Sequence, residues 1–87
     1  MAQQISDAEL EIMKIVWANP EEVTLFPYIM EGLAARGKPC QQNTLIVLLS
    51  RLMSKGFLGA RKIGRRNEYT ALVSDAEYQT AQTKNFL

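Results

Sequence analysis

The sequence predicts a small domain of the α+β class, mainly helical: three helices, then a two-stranded hairpin, then the opening of a fourth helix. Three observations carry that expectation. Apolar residues recur at helical spacing in three segments separated by Pro and Gly. Beyond Gly56 the rhythm changes to strand, turn and strand around Gly64-Arg65-Arg66. Two Ser-x-x-Glu boxes, Ser6 to Glu9 and Ser74 to Glu77, mark helix starts at either end, because such a serine and glutamate satisfy each other's orphan backbone N–H groups.

In order, the first helix is expected from about Ser6 to Trp17, with Ala8, Ile12, Ile15 and Val16 as its apolar stripe and a stop near Asn19-Pro20. Trp17 lies beside the stripe and reads as a core anchor. Thr24 is expected to cap the second helix, with Pro27 tolerated in its opening turn, where the missing N–H has no intrahelical partner anyway. Leu25, Ile29 and Leu33 give it an apolar face, and Gly37 with Pro39 ends it. The third helix is expected over Gln41 to Ser54, closed by Gly56. Leu45, Leu48, Leu49 and Leu52 form its inner face. Asn43, Val47, Ser50 and Ser54 project opposite, with Ile46 and Arg51 on the shoulders, at about 100° per residue. Phe57 to Ile63 and Asn67 to Val73 are the two strands. The last helix opens at Ser74 and is expected to run on through Leu87, as an element cut partway.

Composition excludes several classes. Eighty-seven residues, 47% hydrophobic and 22% charged, make one ordinary globular domain. There is no histidine, so the commonest general base and the commonest metal ligand are both missing. Cys40 stands alone, which excludes an intramolecular disulfide and a multi-cysteine metal site. No catalytic motif, cofactor loop, signal peptide or membrane-length apolar run is present; a non-enzymatic, cofactor-free, cytoplasmic protein without membrane insertion is expected.

The net charge of +1 conceals a division. Residues 1–31 hold six acids against Lys14, whereas residues 50–70 hold Arg51, Lys55, Arg61, Lys62, Arg65 and Arg66 against Glu68. Such segregation is an electrostatic footprint for a polyanion.

Three helices followed by a hairpin with a basic tip is the winged helix-turn-helix plan, in which the third helix enters the DNA major groove and the wing lies along the backbone. Candidate DNA-contacting residues are therefore Gln42, Asn43, Thr44, Ile46, Val47, Ser50, Arg51 and Lys55 on the helix, and Gly64, Arg65 and Arg66 in the wing. Guanidinium groups suit the wing because their fork matches phosphate oxygens.

The run Ile5-Ser6-Asp7-Ala8-Glu9-Leu10-Glu11-Ile12-Met13-Lys14 with Trp17 resembles the opening of the penicillinase and methicillin-resistance repressors (the BlaI/MecI/CopY type). Asn43-Thr44-Leu45, Leu49-Ser50-Arg51-Leu52, Lys55-Gly56-Phe57-Leu58 and Gly64-Arg65-Arg66-Asn67-Glu68-Tyr69-Thr70 are similar to later blocks of that family, and Phe86-Leu87 to the start of its dimerisation segment. The resemblance implies a repressor of antibiotic-resistance or metal-homeostasis genes that binds a palindromic operator as a homodimer. A membrane sensor-protease, or copper, would relieve repression. Thr44, Arg51, Gly64 and Arg65 are the matched positions that would face DNA. It further implies that residues 1–73 form the DNA-binding domain and 74–87 the start of the dimerisation helix, so that these residues alone should be mainly monomeric and bind weakly.

The departures are specific. Gln41-Gln42 stands where the family often has Ser-Pro, a poorer cap, and Cys40 where many members have Trp. Ile46-Val47 replaces the usual Gln-Thr. Neither side chain can hydrogen-bond a base edge, so the pair either packs on thymine methyl groups and reads a different sequence, or base readout is lost there. The alternative function, from another class, is a winged-helix protein-interaction module using the Ile46/Val47 surface.

Overall fold

The computed structural model describes residues 5–84. Four helices and three short strands follow in the order α1 (Asp7–Ala18), β1 (Thr24–Leu25), α2 (Phe26–Ala35), α3 (Gln42–Ser54), β2 (Leu58–Ile63), β3 (Arg66–Ala71) and α4 (Asp75–Lys84). The continuation of α4 to Leu87, with the Phe86-Leu87 match, lies outside the described residues.

The first capping box closes as the sequence predicts. Glu9 N donates to Ser6 Oγ at 3.2 Å, and Ser6 N donates to Glu9 Oε1 at 2.9 Å. Behind it, Ile12, Met13, Ile15 and Val16 enter the core, but Ala8 is exposed and Glu9 and Glu11 are buried. The apolar stripe of α1 is thus completed by two carboxylates rather than by Ala8. Each has a cationic partner, which is the condition for burying charge.

Thr24 does not cap α2. It forms β1 with Leu25 and pairs with Tyr69 of β3, so the sheet has three antiparallel strands in the order β1-β3-β2. The Thr24 hydroxyl accepts from Asn19 Nδ2 at 3.0 Å, and Asn19 Oδ1 accepts from Glu21 N at 3.1 Å; one asparagine thereby clasps the α1–β1 loop. Leu25 is the N-cap of α2 without a side-chain bond, and Pro27 sits in the first turn as expected.

α3 ends in paired backbone bonds, Phe57 N to Leu52 O at 2.9 Å and Gly56 N to Met53 O at 3.1 Å. This closure requires a left-handed residue, and Gly56 supplies it at φ +83°. The core gathers Ile12, Met13, Ile29, Leu33, Leu45, Leu49, Leu52, Phe57, Leu58 and Tyr69 from all three main helices and the hairpin.

Helices α1 and α2 approach closely at Gly32, where an added Cβ would lie 2.9 Å from Ile15 Cγ2 and 3.0 Å from its Cδ1. Isoleucine is stiff at χ1 in a helix, so it cannot swing clear. Gly32→Ala is expected to destabilise the domain by about 1 kcal/mol, the overpacking strain exceeding the gain in helix propensity. A thermal melt measures this, and an unchanged or raised Tm would show that the seam yields.

Trp17 anchors α4 as well as the core. Its indole Nε1 donates to Val73 O at 2.9 Å, and its ring lies 5.7 Å from that of Tyr78, which also meets Phe57 at 6.1 Å. The second capping box, Ser74 with Glu77, opens α4 with bonds of 2.9 and 3.0 Å. Among the described residues no helix is long and apolar enough to cross a membrane.

Candidate nucleic-acid interface

The inner face of α3 is fixed by Leu45, Leu49 and Leu52, all buried. Leu48, expected beside them, is only half-buried. That orientation leaves Gln42, Asn43, Thr44, Ile46, Val47, Ser50 and Arg51 exposed. Ile46 and Val47 keep 49% of their surface in solvent, so neither is needed to cover the core. Gln41 is the N-cap and makes no side-chain capping bond, in keeping with its poor capping chemistry.

The wing is the β2–β3 hairpin, in register from Leu58 opposite Ala71 to Ile63 opposite Arg66. Its tip is Gly64-Arg65, with Gly64 at φ +61°. Arg65 and Arg66 are exposed. Among the described residues no carboxylate lies within ion-pairing distance of Arg51, Arg65 or Arg66.

Gln42, Ile46 and Ser50 of α3 share one cleft with Arg65 and Arg66 of the wing. Its volume is about 620 Å³. Asn43, Thr44, Val47 and Arg51 lie on α3 outside that lining. Its third wall is the β1–α2 corner, Leu25-Phe26-Pro27, and Asn67 completes the wing side. Neither the corner nor Asn67 stood out in the sequence; the corner is placed by a two-residue strand too short to leave a periodic signal.

Lys55 is placed differently from the expectation of a groove-flanking cation. Its Nζ lies 3.0 Å from Oε1 of Glu9, whose side chain is 2% exposed against 26% for the lysine. Burial pushes the Glu9 carboxyl up, but the Ser6 hydrogen bonds and the Lys55 ammonium together outweigh it and hold the group below the ordinary glutamate value. Glu9 Oε2 is buried without a hydrogen-bond partner. Lys55 therefore compensates a charge inside the fold and pins the end of α3 to the start of α1. Glu11 is held low chiefly by Arg36, 3.0 Å away, with Lys14 at 3.5 Å. Part of the acidic excess of the first helix is thus paired internally, whereas the wing arginines meet no carboxylate among the described residues.

Among the described residues no cluster of acids or cysteine could hold a metal ion. The arrangement sets an outward helix face and a basic hairpin tip side by side, with donors and positive charge suited to a polyanion.

Comparison with known proteins agrees with this geometry. The penicillinase repressor family model matches residues 5–87. The chain is 33% identical over 84 residues to the penicillinase repressor of Bacillus licheniformis, covering 97% of this chain and 63% of that protein. It is 30% identical to the methicillin resistance regulatory protein MecI of Staphylococcus aureus strain N315, covering 97% and 66%. It therefore spans about two thirds of the length of these relatives. A solution structure of the monomeric form of Bacillus licheniformis BlaI in complex with the blaP half-operator superposes with a TM-score of 0.69 at 32% identity, over 90% of this chain and 92% of that one.

Proposed function

The chain belongs to the penicillinase repressor family, and on that premise we propose that it is the DNA-binding part of a transcriptional repressor. Its targets are genes of the antibiotic-resistance or metal-homeostasis kind. α3 enters the major groove with Gln42, Asn43, Thr44, Ile46, Val47, Ser50 and Arg51 toward the bases and flanking phosphates. The wing lays Gly64, Arg65 and Arg66 along the backbone. Residues 1–73 are the DNA-binding unit, and α4 begins the segment through which the whole protein pairs as a homodimer on a palindromic operator. The site of action is the cytoplasm, and a membrane sensor-protease, or copper in a metal-responsive case, relieves repression. The observation that carries the reading is the cleft shared by the outward face of α3 and two wing arginines that have no carboxylate partner among the described residues.

Removing a phosphate contact reduces the number of counterions released on binding. Arg65→Ala and Arg66→Ala are each expected to weaken binding to every duplex alike and to flatten the log–log salt dependence by about 0.9. Titration at several salt concentrations reads this, and unchanged slopes in both variants would take the wing out of the interface.

The second reading, a module that docks a protein partner, is favoured by the exposure of Ile46 and Val47. It predicts association that is nearly indifferent to salt, so the same titrations separate the two.

A further inference from the structure

We propose that the cleft between the β1–α2 corner, α3 and the wing is also a small-molecule site, which takes an amphipathic anion with an apolar body and a carboxylate head and excludes DNA when occupied. The last part rests on the reading of α3 and the wing as the DNA face; the site itself does not.

The cleft combines two features that a polyanion alone leaves unexplained. Its walls are largely apolar, with Phe26 from α2, Ile46 and Met53 from α3 and the buried Tyr69 from β3, beside the polar Gln42, Ser50 and Asn67. Its rim carries Arg65 and Arg66, which no carboxylate among the described residues neutralises. A sugar–phosphate backbone can satisfy the arginines but has no apolar group to enter the space beneath them. A compact hydrophobic body with a charged end satisfies both. The volume of about 620 Å³ is in the range of roughly 300–1,000 Å³ usual for small-ligand pockets, as is an apolar lining with a few convergent polar groups.

Ile46 and Met53 are 49% and 36% exposed, and covering them removes apolar surface from water. The head group meets guanidinium donors, whose bonds to a carboxylate are shorter and stronger than those to a neutral oxygen. A neutral ligand of the same shape forgoes that term. Because Ile46, Ser50, Arg65 and Arg66 belong to both surfaces, ligand and DNA compete, and the ligand raises the apparent dissociation constant of DNA in proportion to its concentration over its own dissociation constant.

The test uses 4-phenylbutyrate as the probe and 4-phenylbutan-1-ol as its neutral counterpart, followed by backbone amide shifts of the chain without DNA. Saturable shifts confined to the Leu25–Pro27 corner, the Ile46 face of α3 and the wing are expected, with the acid bound about tenfold more tightly than the alcohol. In the Arg65→Gln/Arg66→Gln variant the two probes should bind alike. Shifts that never saturate, shifts scattered over the surface, or equal binding of acid and alcohol to the unaltered chain would overturn the proposal. A labelled mixed-sequence duplex of about 15 base pairs, longer than one DNA turn, is then titrated at fixed ionic strength with acetate as the control anion. Its apparent dissociation constant should rise about tenfold when the probe stands at roughly ten times its own. If the probe saturates its site without weakening duplex binding, the exclusion is wrong. If the duplex does not bind at all, the DNA reading fails while saturable, acid-selective shifts still uphold the ligand site.

Discussion

Lys55→Met is expected to lower the stability of the domain by about 2 kcal/mol at neutral pH, because removing one partner of a buried ion pair leaves the other charge uncompensated. The full penalty of such a deletion is larger for a wholly enclosed pair; here the lysine is a quarter exposed, and water replaces part of what it supplied. Glu9 is left with the Ser6 N–H on Oε1 and nothing on Oε2. For a domain of this size the loss corresponds to a Tm lower by about 10 °C.

The pH dependence fixes the cause. Glu9 has its carboxyl held below the ordinary glutamate value in the folded chain. The stability it contributes is therefore present above the unfolded value, near ~4.3, and is lost as pH falls through the lowered folded value. The deficit of Lys55→Met should be full at neutral pH and shrink once Glu9 is protonated in both proteins. A Glu9→Gln variant should show a smaller deficit at neutral pH, and that deficit too should close in acid, as the parent's own carboxyl is protonated and loses its contribution. Melting curves of the three proteins between pH 7 and acid conditions decide the matter. A deficit that stays constant down to the lowest pH would mean that the methylene packing of Lys55, and not its charge, is what the fold uses.

That pair also marks the limit of what could be read from the residues. The Ser6–Glu9 box was legible because its spacing is local, and so was the closure of α3 at Gly56. The partner of Glu9 was not, because Lys55 is 46 residues away and only the packing of α1 against the end of α3 brings them together. A basic residue next to a glycine reads equally well as a groove-flanking cation. For the same reason β1 escaped notice. Two residues, Thr24 and Leu25, acquire strand geometry from the edge of β3 and not from any pattern of their own. Thr24 looked like a cap because threonine favours caps; its hydroxyl goes to Asn19 instead. In the candidate interface the helical projection of α3 was sufficient to separate Leu45, Leu49 and Leu52 from Ile46, Val47 and Ser50. The wall supplied by Phe26 and Pro27 depends on how the α2 corner turns toward the wing, which no periodicity encodes.

Ile46→Gln together with Val47→Thr is expected to change which DNA sequence is bound while leaving the fold intact. Both side chains are half exposed on the face of α3 turned from the core, so stability should stay within about 0.5 kcal/mol of the parent, as for ordinary surface changes. As they stand, the two can offer only methyl contacts, which suit a thymine C5-methyl and make no distinction that depends on donors or acceptors. Glutamine adds a bidentate donor and acceptor that matches adenine, and threonine adds a hydroxyl beside its methyl. Each good bidentate contact discriminates against a wrong base by about 1–3 kcal/mol, or roughly five- to 150-fold in relative affinity. Non-specific affinity and its salt slope should not move, because Arg51, Arg65 and Arg66, to which the proposed reading assigns the phosphate contacts, are untouched. Selection from randomised duplexes, run on both proteins beside their melting curves, separates the outcomes. A new preferred motif at equal stability places the pair at the bases. The same motif at equal stability means that α3 presents some other strip to the groove, with Asn43 and Thr44 as the next residues to exchange. A clear loss of stability would instead show that Ile46 covers the core from the cleft side, and that its exposure understates its packing against Leu49.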